Sequence, residues 1–184
     1  MELPAIETER LILMVLGPDA APMVLDFYQR NRDFLAPWEP LRNADFYTPE
    51  FHAEQLARDL AQTEGKNALR FYLFRQGEED RIIGSFAFSN IVRGPFLSCN
   101  LGYKLGRAAC GKGYMTEALR AGIDVVFRDY GLHRIEANIM PRNLPSLRLT
   151  ERLGFRHEGL SRQYLKIHGI WEDHVHMVLL NEEV

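Results

Sequence analysis

The residues best placed to do chemistry are Gly106-Arg107-Ala108-Ala109-Cys110-Gly111-Lys112-Gly113, which run directly into Tyr114-Met115-Thr116-Glu117-Ala118-Leu119. A strand-like run ending in Gly102-Tyr103-Lys104-Leu105 precedes them. Small or apolar residues at Met115, Ala118, Leu119, Gly122, Ile123, Val126 and Phe127 follow the i, i+3, i+4, i+7 rhythm of one buried helix face. Strand, glycine loop and helix in that order bring free backbone N–H groups and the positive end of a helix dipole to one point, where anions bind. Glycine at 111 and 113 lets a phosphate approach the backbone and permits positive φ. Two nucleotide readings fail. Gly106 to Lys112 spells G-x-x-x-x-G-K, but Gly113 stands where a Ser or Thr must hold Mg²⁺. The dinucleotide fingerprint breaks at Thr116, where its third glycine belongs. The plain alternative is a left-handed turn before a core helix.

The rest of the chain supplies elements to position this loop. Thr8 to Leu16 reads as a first strand stopped by Gly17-Pro18, and Asp19 can cap a helix that turns Met23 and Phe27 inward. Phe34-Leu35-Ala36-Pro37-Trp38-Glu39-Pro40, with two prolines around a tryptophan, predicts a fixed non-helical connection: a lid on the core or a pocket wall. Thr48-Pro49-Glu50 opens a helix ended by Gly65. Strands at 69–74, 81–91 and 96–105 form an antiparallel meander ahead of the loop. Beyond the loop helix come a strand from Arg134 to Met140, a helix from Asn143 to Leu153 closed by Gly154, and strands near 161–167 and 170–180. The pattern predicts an α/β (α+β) fold in one domain, residues 1–184.

At 184 residues, with 46% hydrophobic and 26% charged residues, the composition is that of an ordinary globular chain. A net charge of −3 disfavours general nucleic-acid binding, although Arg148, Arg152, Arg156 and Arg162 could form a local basic patch. Cys99 and Cys110 have no metal-ligand spacing, and a reduced pair is expected. Met1-Glu2-Leu3-Pro4 has neither a basic nor an apolar leader pattern, and no apolar run approaches the roughly 20 residues of a membrane helix. The expectation is a soluble, cytoplasmic protein. His174 and His176, two apart on a strand, share a face, but two ligands alone make a poor zinc site, so no metal is expected.

Taken together, the loop, Pro141-Arg142-Asn143-Leu144-Pro145-Ser146 and Arg152-Leu153-Gly154-Phe155-Arg156-His157-Glu158-Gly159 resemble the Gcn5-related N-acetyltransferases. Within them the chain is most similar to the RimJ branch of the RimJ/RimL group of protein N-terminal acetyltransferases. The likeness extends through Phe34–Pro40, Phe88–Gly94, Leu101-Gly102-Tyr103, His133-Arg134-Ile135 and Tyr164–Val175. The loop pattern of that family begins with Gln or Arg where this chain has Ala108, its arginine sitting one place early at Arg107. The resemblance implies acetyl-CoA as donor and a mixed, mostly antiparallel sheet splayed at its centre and flanked by helices. The donor would lie between the diverging strands.

Acetyl transfer needs an anchored pyrophosphate, a polarised thioester, a deprotonated amine and a stabilised thiolate. The resemblance assigns the anchor to Ala108, Ala109, Cys110, Gly111, Lys112, Gly113 and Tyr114, and the pantetheine contacts to the backbone of Tyr103, Lys104 and Leu105. Asn143 and Ser146, one helical turn apart, would both face the donor. Asn143 would also cap its helix, and Ser146 would hydrogen-bond the departing sulfur, with Tyr164 the other candidate proton donor. Many relatives carry a glutamate base on the strand before the loop, yet Phe96 to Leu105 holds no carboxylate. Glu136 and Glu158 are the remaining candidates, Glu158 more as a turn carboxylate. An α-amine with a pKa of about 8 asks little of its base. Trp38, Glu39 and Asp173 are expected at the acceptor pocket. The implied acceptor is a protein N-terminus, such as the alanine of a small-subunit ribosomal protein. The alternatives are a polyamine or antibiotic amine, or a ribosome-assembly factor that does not depend on catalysis.

Overall fold

The strands part at the middle of the sheet, and the fold is arranged around that parting. The structure, a computed structural model, describes residues 4–183; Met1-Glu2-Leu3, the start of the stretch without a leader pattern, lies outside the described residues. Eight strands form one sheet: β1 (Ala5–Glu7), β2 (Leu11–Met14), β3 (Leu69–Arg75), β4 (Gly84–Val92), β5 (Ser98–Leu105), β6 (Arg134–Ile139), β7 (Arg156–Ile167) and β8 (Ile170–Leu180). Their spatial order is β1-β2-β3-β4-β5-β6-β8-β7. Every neighbouring pair is antiparallel except β5 and β6. Those two pair in parallel at Ser98↔Arg134, Cys99↔Ile135 and Asn100↔Glu136, and no further. β4 follows β5 to Gly84↔Leu105, while β8 follows β6 to Ile139↔Val175. Past Asn100 the inner edges of β5 and β6 therefore face each other unpaired.

Among the described residues five α-helices flank the sheet: α1 (Ala21–Arg30), α2 (Arg32–Leu35), α3 (Pro49–Glu64), α4 (Tyr114–Asp129) and α5 (Leu144–Arg152). The strand alternation sorts them onto two faces. Phe71, Phe86, Phe88, Leu101, Ile135 and Ala137 join Met115, Ala118, Leu119, Ile123 and Val126 of α4 in the main core. Tyr72 and Phe74, pointing the other way from β3, join Val24 and Phe27 of α1 and Leu56 of α3 in a second cluster. Among the described residues no helix is long and apolar enough to cross a membrane.

Several boundaries differ from those the sequence predicts. The first strand is two, β1 and β2, because Thr8 turns the chain by bonding Leu11 through both its N–H and its hydroxyl. The Pro–Trp–Pro segment is partly helical: α2 ends at Leu35 and a 3-10 turn spans Ala36–Trp38, with Pro37 in the first turn, where its missing N–H costs nothing. β7 starts at Arg156 rather than Ser161.

Gly122 fixes how closely α4 sits on the sheet. A Cβ there would stand 2.4 Å from Phe86 Cε2 and 2.6 Å from its Cζ, with Phe88 at 3.3 Å. Both rings are buried and cannot swing aside. Gly122→Val should lower the unfolding free energy by about 2 kcal/mol or more, as overpacking does, and Arg120→Val on the exposed face should change it by less than about 0.5 kcal/mol. Urea-denaturation midpoints of the two variants check this.

Candidate active site

The loop between β5 and α4 is moored from two sides. Gly106 leads into a 3-10 turn at Arg107–Ala109, and Gly111 and Gly113 have φ of 76° and 81°. Both glycines need the left-handed region that L side chains avoid. A Cβ on Gly111 would meet nothing within 4 Å, so the requirement there is conformational. On one side, buried Asn31 accepts from the Arg107 N–H at 3.0 Å and donates to Phe27 O at 2.8 Å. On the other, Arg10 donates to Lys112 O at 2.9 Å and pairs with Glu117, whose second oxygen takes the Thr8 hydroxyl at 2.6 Å and the Arg10 N–H at 2.8 Å. Burial would raise the Glu117 pKa, but these donors together hold it below the ordinary carboxylate value. The loop is thus held from both sides at the start of a 16-residue helix, whose first N–H groups favour an anion.

Next to the loop, the parting of β5 and β6 opens into a cavity of about 370 Å³. Tyr103, Lys104, Asn143 and Ser146 line it, as do Trp38, Glu39, Asn138 and His174. Asn143 caps α5, its Oδ1 accepting from Ser146 N at 3.3 Å. Across the gap, Tyr103 Oη and Ser146 Oγ are 2.5 Å apart, and Tyr103 also reaches Ser146 O at 3.2 Å. Burial pushes the Tyr103 phenol up to about 12, so it remains a donor at any ordinary pH. The Lys104 ammonium is bound by Glu39 and by the Tyr28 hydroxyl. Burial disfavours its charge, yet Tyr28 and Glu39 outweigh that and leave its pKa above the usual lysine value.

The Pro–Trp–Pro segment is a wall tied at four points. Besides the Glu39–Lys104 pair, the Glu39 carbonyl accepts from His168 N at 2.8 Å, at the tip of the β7–β8 hairpin. Arg142 donates to Pro37 O at 2.9 Å and lies 4.8 Å from the Trp38 ring centre while pairing with Glu172.

Four of the residues expected at the site stand outside the cavity lining. Glu136 accepts from Arg134 at 3.0 Å and from His176 Nδ1 at 2.8 Å, while His176 Nε2 takes the Ser161 hydroxyl at 2.6 Å. Burial would raise the Glu136 pKa, but His176 and Arg134 hold it low, and both of its oxygens are taken by these two partners. Glu158 is likewise held by Arg134. Tyr164 is 38% exposed, packs on the rings of His174 and His176, and is not among the residues lining the cavity. Asp173 lies outside the cavity lining and fixes the bulge in β7, accepting from Gln163 N at 2.8 Å where Gln163 has φ of 48°. Cys110 bonds Gly106 O, and burial raises its thiol pKa, so it is no activated nucleophile. No group of three or more potential metal ligands exists among the described residues.

The sequence reading passed over the Tyr103 hydroxyl, Asn31, Arg10 and Asn138. It considered His174 solely as a metal ligand. The one signal for His174 and Asn138 was the two-residue alternation that turns both away from the main core.

Residues 10–156 match the acetyltransferase (GNAT) domain family. The chain is 42% identical over 168 residues to the [ribosomal protein uS5]-alanine N-acetyltransferase of Escherichia coli strain K12, covering 91% of this chain and 86% of that one. The crystal structure of a ribosomal-protein-S5-alanine acetyltransferase from Vibrio fischeri superposes with a TM-score of 0.93 at 36% identity, over 98% of both chains. Mycobacterium smegmatis RimJ, solved with CoA-disulfide, gives 0.87 at 28% identity over 95% of this chain and 83% of that one. With the parted strands and the glycine loop where such a fold has them, the chain belongs to the GNAT acetyltransferase family.

Proposed function

We propose that the chain transfers the acetyl group of acetyl-CoA to the N-terminal α-amine of a protein, with an alanine terminus of a small-subunit ribosomal protein as the favoured acceptor. The relatives named as uS5-alanine acetyltransferases support the acceptor class, and the M. smegmatis RimJ complex supports the donor. The setting that fits this reading is the cytoplasm, where ribosomal proteins are made.

The observation that carries the acceptor class is the charge of the cavity. Glu39 is the one carboxylate among its described lining residues, and both Lys104 and Arg42 already pair with it. A polyamine or aminoglycoside needs free carboxylates to repay the desolvation of several cations. This cavity offers none. A single terminal amine followed by a peptide backbone asks only for hydrogen-bond partners, which Asn138, Ser85 and Ser89 present.

The donor fit rests on features of the chain itself. The two positive-φ glycines leave backbone N–H groups uncovered for a pyrophosphate, and the unpaired edge of β5 offers further donors and acceptors. When bound there, acetyl-CoA supplies an activated acyl group with a thiolate leaving group. Tyr103 Oη and Ser146 Oγ share a hydrogen bond; in the proposed reaction the tyrosine hydroxyl donates to Ser146 Oγ, and the serine hydroxyl turns to donate to the developing negative charge on sulfur. Arg107 and Lys112, both exposed on the loop, add positive charge beside the phosphates.

Two outcomes follow. Gly113→Val should raise the acetyl-CoA dissociation constant at least about tenfold in calorimetry, because valine resists positive φ, while circular dichroism stays native. Ser146→Ala should lower the single-turnover rate by about 10² and change the acetyl-CoA dissociation constant by less than about threefold, since only interactions stronger in the transition state act on the rate. Mass spectrometry of peptides beginning Ala, Ser and Met, with spermidine beside them, tests the acceptor: acetylation of spermidine in preference to every peptide would overturn the reading.

A further inference from the structure

The general base is missing from the places where the sequence leads one to look for it. β5 has no carboxylate, Glu136 and Glu158 are bound to Arg134, and Glu39 is bound to Lys104 and Arg42. One side chain in the cavity has the opposite character. His174, on β8, is 3% exposed and lines the cavity wall opposite β5. Its Nδ1 lies 3.0 Å from Glu172 O. A carbonyl can only accept, so Nδ1 carries the hydrogen and Nε2 carries a lone pair. No donor among the described residues reaches that Nε2. On the adjacent strand, Asn138 Oδ1 is buried without any hydrogen-bond partner and belongs to the same cavity wall. Asn138 pairs with His176 in register, which makes it a diagonal neighbour of His174 on one sheet face. A histidine nitrogen without a donor on a cavity wall, with an unpartnered amide oxygen diagonally beside it on the neighbouring strand, suits an N–H-bearing group.

We propose that His174 Nε2 is the general base that takes the proton of the acceptor amine, and that the Asn138 amide, whose oxygen is enclosed in the ligand-free protein, turns to position the amine by accepting a second N–H. The assignment rests on the acetyl-transfer reading above. The amine lone pair forms the C–N bond as the thioester C–S bond breaks, and the electrons of that bond leave with sulfur. His174 holds the proton released from nitrogen, and Ser146 hydrogen-bonds the thiolate. The proton on His174 passes to solvent and the thiolate takes one up as products leave, so the charges balance.

The surroundings suit a base that is neutral at physiological pH. Burial lowers the His174 pKa below its ordinary 6.5, and His176 lowers it further, against smaller raising effects from the bond to Glu172 and the charges of Glu172 and Asp173. The Tyr164 ring of β7 lies tilted with its centre 5.7 Å from that of His174, Ser161 stands opposite in register, and Lys104, Arg42, Arg70 and Glu39 are the charged groups across the cavity. Above the His174 pKa the ring can accept a proton; below it, in acid solution, the ring is already charged and the rate falls.

His174→Asn tests this directly, because asparagine keeps an N–H near the Nδ1 position for Glu172 O and deletes Nε2. The single-turnover rate should fall about 10² or more, the acid limb with a midpoint below 6.5 should vanish from its pH profile, and the acetyl-CoA dissociation constant should stay within about threefold. A rate within threefold of the parent, or an acid limb that persists, overturns the assignment. Ring resonances of the ligand-free protein give an answer apart from turnover. The signal lost in His174→Asn should show the Nδ1–H tautomer and titrate below 6.5; the other tautomer would overturn the proposal. Asn138→Ala should raise the acceptor KM at unchanged acetyl-CoA affinity, and an unchanged KM removes its positioning role. Rates are measured on the Ala-peptide and on spermidine. If the parent uses spermidine alone, the peptide reading falls while the His174 comparison still decides the base; a parent inactive on both overturns both.

Discussion

Everything about this site depends on a hydrogen-bond ladder that stops. β5 and β6 pair over three residues and then separate, because each is held more firmly by its outer neighbour, β4 on one side and β8 on the other. Unpaired backbone in a sheet interior is costly unless something satisfies it. Here side chains span the opening at its rim, Tyr103 to Ser146 and Lys104 to Glu39, and leave the backbone edges to a ligand. A continuous sheet would have no opening at this level.

Glu39 is the second point on which the site turns. Its carboxylate binds Lys104 and Arg42, and its carbonyl receives the tip of the β7–β8 hairpin. One residue thus joins the wall segment, the strand beside the opening and the last hairpin. Its charge is spent within the protein, so the cavity is not left anionic. A carboxylate expected from the sequence at the acceptor pocket is a structural tie that sets the electrostatic character of that pocket.

How much of this is legible in the sequence follows from distance along the chain. The loop and α4 could be read because the glycines and the apolar stripe are local patterns, and Asn143 could be read as a cap for the same reason. The break that splits the first strand in two could not, since it rests on one Thr8 turn with no glycine or proline to mark it. Glu136 looked free because Arg134 and His176 reach it through strand neighbours, and Asp173 looked free because its partner is the backbone of a bulge. Tyr103 and Ser146 are 43 residues apart, and nothing local marks them as partners. Side chains that share a strand face can be listed from a sequence. Which of them keep an unused lone pair cannot.

The mooring of the glycine loop by Thr8 and Arg10 has a consequence for how the protein comes to be. Glu117 is separated from those two residues by 109 and 107 positions. Closing so long a stretch of chain is entropically expensive and slow beside local structure formation. During synthesis the first strand pair leaves the ribosome long before α4 exists. The loop glycines can reach their left-handed geometry early, but the clamp that stiffens the loop has to wait for the sheet to bring both ends together. Donor-binding competence is therefore a late and global property of the folded chain, even though the residues that display it occupy eight consecutive positions.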